Sequence, residues 1–309
     1  TRYEVQTCYS RNPQEIEPAV RWADIVWLEW ANELTMTITN HSENILKNKH
    51  AICRIHRYEV FTDYLLKIKW EAIHDLIFVA GHIKKTAIGR IPSLPQKVQN
   101  IRIVPNGVNL DKFKFKKRDR GWNIAYLGYV HYRKGPVLLL HAFRELVRFD
   151  KRYQLFIGGK IEDIHYVLYF NQMIKEMGLE ENVHFDGWIE NQSINTWLDD
   201  KQYIVCTSIH EGHPVGIMEA MACGLKPLIH NYVGARESYP DTYIWNTIPE
   251  FVDMVTGGEY TPLKYRKFIE ANYNLDAQLE KVENIISEAG KRMVRYERVE
   301  SVDNSAVIP

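Results

Sequence analysis

Residues 204–231 read IVCTSIHEGHPVGIMEAMACGLKPLIHN, and this stretch decides the fold. Residues 204–208 are a short apolar run of the kind that makes a buried strand. Residues 210–214 form a polar loop with a glycine inside it. From 214 to 223 the spacing turns helical: Ile217, Ala220 and Met221 share one face at i, i+3 and i+4. Pro214 falls in the first turn, where its missing N–H costs nothing. Gly224 follows the last turn, where a left-handed residue is wanted, and Pro227 opens the next strand. Strand, loop, helix, turn and strand is the repeating unit of a parallel α/β layer.

Two carboxylates frame the unit. Glu211 lies in the loop, and Glu219 lies inside the helix. The helix N-terminus between them offers unpaired N–H groups and partial positive charge, which suit an anion. A phosphate centre with hydroxyl-bearing ends matches that layout, and a nucleotide sugar is such a ligand. A surface helix with two solvated glutamates accounts for the stretch equally well, so these residues alone leave both readings open.

The run EGHPVGIMEAMACGLKP, 211–227, resembles the Glu-x7-Glu motif of the retaining family 4 (group 1) glycosyltransferases. The resemblance covers roughly the last two-thirds of the chain, and it is weaker upstream. It implies the GT-B fold, two Rossmann-like domains facing a cleft. It also implies that Glu211 holds hydroxyls of the transferred sugar and Glu219 the nucleotide ribose. Gly212, Val215, Gly216 and Ile217 then belong to the donor site. The donor is a co-substrate, a UDP- or GDP-sugar, and no resident cofactor is implied.

Other segments carry the same likeness. Residues 105–109, PNGVN, resemble the family's PNGVD junction between domains. Beyond it, strand 122–128, the basic loop 131–135 and helix 136–149 make a phosphate-binding turn. Leu138, Leu139, Ala142, Leu146 and Phe149 mark the expected inner face of that helix. Lys134-Gly135 matches the family's phosphate-binding Lys-Gly, with Gly128 ahead of it. The family usually places Arg after that glycine; here the position is Tyr129, and Arg133 is the candidate second cation. An ordinary solvated Arg-Lys pair is the plainer alternative. Trp188 and Ile189 follow strand 183–187, near which the family grips the base; Trp188 stacks on a base or packs in the core, with nothing to choose between them. In the first half, His56 ends strand 51–56 and resembles the family's strand-end His near the transferred sugar, a reading favoured over that of a His merely hydrogen-bonded at a strand end. Arg57 and Glu59 beside it are weaker candidates and read equally well as structural.

The chain has 309 residues, 45% hydrophobic and 25% charged, the balance of a globular protein. Net charge is zero, yet residues 1–120 carry +7 and the remainder −7. A basic half facing an anionic acceptor or membrane surface is one reading, and two halves attracting each other is another. Much of the excess comes from KFKFKKRDR, 112–120, which also reads as a solvated linker. Cys53, Cys206 and Cys223 lie in apolar runs and Cys8 stands apart, with no metal-type spacing. No apolar run approaches the roughly 18 residues of a membrane span. The expected location is the cytoplasm, with peripheral contact at the inner membrane face as the extension of the basic-half reading. No Asp-x-Asp occurs, so Lys134, Arg133 and the helix start at 214–217 would replace a metal clamp on the diphosphate. No nucleophile elbow, Walker loop, zincin motif or nucleic-acid-binding pattern is present.

The expected organisation is a short acceptor-side Rossmann-like domain (1–108) and a donor domain (109–273). An amphipathic helix (274–298) returns to the first domain and a tail (299–309) follows. Helix 275–296 is expected to bury Leu279, Val282, Ile286, Ala289 and Met293. A strand at 3–8 and helices at 31–47 and 57–73 complete the first half. That half lacks a Gly-rich opening loop, which suggests either a reduced acceptor domain or part of a longer protein. Two functions follow: a sugar transferase acting on a glycan, lipid-linked or protein-linked acceptor, or a non-catalytic GT-B module of a larger assembly.

Overall fold

The computed structural model describes residues 3–10 and 12–304. The chain divides into two compact units, residues 1–105 with 279–309, and residues 106–278. Each is built on its own parallel sheet: four strands in order β1-β2-β3-β4, and six in order β10-β9-β8-β5-β6-β7. No helix among the described residues is long and apolar enough to cross a membrane.

The first unit contains β1 (Ile25–Glu29), β2 (His50–Ile55), β3 (Asp75–Phe78) and β4 (Asn100–Ile103). β2 and β3 are buried along their whole length, as central strands covered on both faces must be. Leu28, Cys53, Ile55, Leu76 and Phe78 pack on one face, with Trp70 among them. Ile52, Ile77 and Val104 pack on the other, against Ile285 of the last helix, Leu275–Asn304. Beside this apolar contact lies a charged one. Asp75, only 2% exposed, accepts from His50 Nε2 at 2.7 Å and Arg102 Nε at 3.1 Å. Arg102 Nη2 in turn donates to Glu288 Oε2 of the last helix at 2.6 Å.

Several local expectations are corrected here. Residues 4–10 form neither strand nor helix. The helix expected over 31–47 is only Glu33–Thr39, because the polar residues that follow turn the chain, with Asn44 and Asn48 at positive φ. The helix expected over 57–73 breaks into Tyr58–Phe61, Tyr64–Lys67 and Trp70–Ala72. In the last helix Ala289 is buried and Val282 and Ile286 are packed on the sheet as expected, Ile285 is buried beside them, and Leu279 is 54% exposed, contrary to expectation. That helix also takes in 299–304 of the expected tail; 305–309 lie outside the described residues.

The second unit contains β5 (Asn123–Leu127), β6 (Gln154–Gly158), β7 (Val183–Gly187), β8 (Tyr203–Cys206), β9 (Lys226–His230) and β10 (Ile244–Trp245). Strand order runs outward from β5 in one direction and from β8 in the other. Their adjacent C-terminal ends are therefore a topological switch point, where open parallel sheets place ligands. The helix Pro136–Phe149 buries Leu139, Ala142 and Leu146 of the expected face with Phe143 beside them, and Leu138 is partly buried; Phe149 is exposed, contrary to expectation. Nor is 112–120 merely a solvated linker. Phe113 is buried, and Arg118 donates to the carbonyls of Asp199, Lys201 and Cys223.

The Asp75 cluster makes a pH prediction. Burial alone would push its carboxyl up; the His50 and Arg102 hydrogen bonds outweigh that and hold it below the usual aspartate value. Arg292 adds a more distant positive charge, and His74 stacks on His50. A depressed carboxyl contributes stability above its unfolded-state pKa of about 4, and this is lost as pH falls through the folded value. Asp75→Asn should cost about 3 kcal/mol near neutral pH, by stranding buried partners. Its stability in urea titrations should then fall less steeply below about pH 4 than that of the parent protein.

Candidate active site

The site of the second unit is assembled by two loops stitched together. After β5 the chain passes Gly128, whose N–H donates to the Gly158 carbonyl at 2.9 Å, and turns through Tyr132–Lys134. Gly135 then enters the helix at φ 62°, and a Cβ there would lie 2.1 Å from the Thr207 carbonyl oxygen. Only glycine combines that backbone angle with that approach. Thr207, just past β8, donates its hydroxyl to the Lys134 carbonyl at 2.8 Å, and Ile209 N–H donates to the Arg133 carbonyl at 2.9 Å.

This stitching brings opposite charges together. Lys134 Nζ lies 2.6 Å from Glu211 Oε1, and Ser208 Oγ donates to the same oxygen at 2.7 Å. Glu211 is only 7% exposed. Lys134, Ser208, Glu211, His213 and the start of the helix Val215–Ala222 line a cavity of about 230 Å³. No side chain caps that helix, so the Val215 and Gly216 N–H groups lack the intrahelical partner that later residues have. A partly exposed ammonium, a buried carboxylate, a hydroxyl and a helix start therefore converge, a set that can hold an anion and hydroxyls side by side.

The other expected residues fall into distinct places. Val215, Gly216 and Ile217 line the cavity, and Gly128 lies against Lys134, where a Cβ would be 3.7 Å from Cε. Gly212 is buried in the loop. Glu219 is half-buried and outside the cavity lining; burial pushes its carboxyl up, opposed by the charge of Lys112. Arg133 directs Nη2 at His131 Nε2, 2.9 Å away, so neither it nor Lys134 is a free solvated cation. Burial and the Arg133 charge push the His131 imidazole down, favouring the neutral ring that can accept from a guanidinium.

Trp188 is 52% exposed, which rules out core packing. Its ring lies 5.0 Å from that of Tyr129, and it borders a second cavity of about 410 Å³ with Gly159, Lys160 and Phe185. Ile189 instead packs over Gly158, where a Cβ would meet it at 2.8 Å.

His56, in the first unit, bonds Glu29 Oε1 through Nε2 at 2.5 Å. Its N–H, and that of Arg57, donate to the fully buried Glu59, which is therefore structural. Sequence reasoning missed Ser208, His213 and Glu29. Glu29 could have been found, because it ends a strand as His56 nearly does; a serine three residues before Glu211 gives no such signal. Among the described residues no group of three or more His, Cys, Asp or Glu side chains could hold a metal ion.

Two parallel α/β units with a polar switch-point site define the GT-B glycosyltransferase fold, and solved structures agree. Sucrose-phosphate synthase from Thermosynechococcus elongatus superposes with a TM-score of 0.72 at 14% identity, over 90% of this chain and 77% of that one. HepE from Anabaena, solved with UDP, gives 0.75 at 14% identity, over 89% and 81%. The model of the family "Glycosyl transferases group 1" matches residues 108–299, and the chain belongs to that family, whose retaining enzymes need no metal.

Among curated relatives, a GDP-mannose:cellobiosyl-diphosphopolyprenol alpha-mannosyltransferase from Xanthomonas campestris is 28% identical over 42% of this chain and 34% of its own length. A phosphatidylinositol N-acetylglucosaminyltransferase component from Arabidopsis thaliana is 24% identical over 62% and 42%. The chain thus spans about a third of the length of the first curated relatives it matches.

Gly135→Ala should lower the stability of this unit by about 2–3 kcal/mol, through the left-handed strain and the clash with Thr207. Thermal unfolding measures it, and an unchanged midpoint would show that the two loops can part at no cost.

Proposed function

We propose that this protein transfers a sugar, with retention of anomeric configuration, from a UDP- or GDP-sugar to a hydroxyl of a glycan, lipid-linked or protein-linked acceptor. The observation that carries this reading is the Lys134–Glu211–Ser208 cluster beside the uncapped start of the helix Val215–Ala222. A nearly buried ion pair contributes little net stability, because desolvation offsets its attraction. Its use is to keep both charges in place for a ligand. An arriving diphosphate competes for Lys134 and takes the helix amides, which releases Glu211 to accept hydroxyls of the sugar.

In the transfer, the C1–oxygen bond to the diphosphate breaks and the bond to the acceptor oxygen forms on the same face. The acceptor proton passes to the departing phosphate oxygen. Arg133, held by His131, adds positive charge on the leaving-group side, and Glu219 takes the ribose hydroxyls. Trp188 and Ile189 serve the base end, and Gly128, against Lys134, belongs to the phosphate side. His56 is assigned to the transferred sugar from its resemblance to the family's strand-end His.

The relatives' names support both donor bases: GDP-mannose in the Xanthomonas enzyme, and UDP in the HepE structure. Diphosphopolyprenol and phosphatidylinositol in the relatives' names favour a lipid-linked acceptor. The +7 charge of residues 1–120 suits contact with an anionic membrane face, on the cytoplasmic side.

Donor hydrolysis and thermal shift across UDP- and GDP-sugars, without added metal, test the reading. One donor should stabilise the protein and be slowly hydrolysed, and Glu211→Gln should cut that turnover by about 100-fold or more. A shift with no turnover by the parent protein would instead support a binding-only module, and undiminished turnover in the variant would sink the assignment of Glu211.

A further inference from the structure

The carboxylate of Glu29 ends β1, opposite Arg54 of β2 in the sheet register. It accepts from three side chains of the first unit: Trp27 Nε1 at 2.6 Å on one oxygen, and Arg54 Nη1 at 3.3 Å and His56 Nε2 at 2.5 Å on the other. Burial alone would push this carboxyl up. The hydrogen bonds from His56 and Trp27 and the charge of Arg54 outweigh it, so the group is held below the usual glutamate value and stays ionised. An ionised carboxylate only accepts hydrogen bonds, so His56 Nε2 must carry the proton.

His56 is fixed in other ways too. Its backbone N–H is held by the buried carboxylate of Glu59 at 3.0 Å. Trp30 places its ring 5.7 Å from the imidazole. Trp30 does so from φ 74°, a rare angle for a bulky residue, held by its N–H to the Arg54 carbonyl at 2.9 Å and its carbonyl to Thr35 Oγ1 at 2.7 Å. Strain of this kind persists where surrounding contacts over-determine it, and it concentrates at functional sites.

We propose that Glu29 is a positioning residue for the transfer. It locks His56 as the Nε2-protonated tautomer, so that Nδ1 is the ring atom left to meet a substrate hydroxyl. The catalytic consequence rests on the assignment of His56 to the reaction centre; the tautomer does not. Glu29→Gln tests both. An amide in this place cannot accept from Arg54, His56 and Trp27 together, because one of its two ends now donates.

The ¹⁵N spectrum of the imidazoles of the full chain, with His56→Ala to assign the signals, should show Nε2–H at His56 in the parent. That tautomer should be lost or mixed in Glu29→Gln. With the donor identified above, Glu29→Gln should lower kcat about tenfold or more with little change in donor KM. The double variant with His56→Ala should be no slower than His56→Ala alone. A role confined to folding would lower the unfolding midpoint and leave the tautomer unchanged. A parent protein with the Nδ1–H tautomer, or a Glu29→Gln protein with unchanged tautomer and kcat, overturns the proposal. Full turnover in His56→Ala also overturns it, while leaving the transferase reading to Glu211. If no donor is turned over, the transferase reading fails and the spectra still decide the tautomer.

Discussion

The close approach of Gly135 to the Thr207 carbonyl is the constraint on which the site of the second unit depends. Two loops that leave adjacent parallel strands would ordinarily diverge, since each carries side chains. Removing one side chain, and setting that residue in a left-handed conformation, lets the backbones touch. The Thr207 hydroxyl and the Ile209 N–H then close the seam with hydrogen bonds to the carbonyls of Lys134 and Arg133. Everything polar in the cavity follows from that seam. Lys134 arrives from one loop, Ser208 and Glu211 from the other, and their contact is a matter of backbone placement before it is one of charge.

The first unit uses buried charge differently. Asp75 is paired with residues of three neighbouring elements: His50 on β2, Arg102 on β4 and, more distantly, Arg292 on the last helix. Glu59 is spent on backbone N–H groups just after β2. Both are structural in the plain sense, since each satisfies donors that would otherwise be buried without partners. Glu29 differs from them in being half-open to solvent and in binding a histidine at the strand end, beside a tryptophan whose backbone is strained. The same chemistry, a carboxylate accepting several hydrogen bonds, thus serves packing in two places and orientation in a third.

Much of this was legible from residue types alone. The strand-loop-helix reading of 204–231 holds almost residue for residue, because apolar runs, a first-turn proline and a terminal glycine act locally. The glycines and the Lys134 and Glu211 side chains that meet in the second unit stand in the same short motifs. The failures share a cause. The helices expected over 31–47 and 57–73 are interrupted where side chains bond to backbone. Asn40 donates to carbonyls, and Glu59 draws in two N–H groups. Such competition is invisible to periodicity. The inner faces of Pro136–Phe149 and of the last helix hold except at one end residue each, Phe149 and Leu279, which are exposed, since apolar spacing does not say how far along the helix the packing partner extends.

What the sequence determined by itself is the order of elements, the parallel α/β class and the identity of the residues that carry charge in the site. These depend on short-range spacing and on side-chain chemistry. Only the tertiary structure decided that Lys134 pairs with Glu211, that Arg133 leans on His131, that Trp188 is exposed beside Tyr129, and that Glu29 holds His56. Each of these contacts joins residues presented by chain register, loop approach and side-chain packing, and an ion pair or hydrogen bond forms only when the backbone sets the distance to within a few tenths of an ångström.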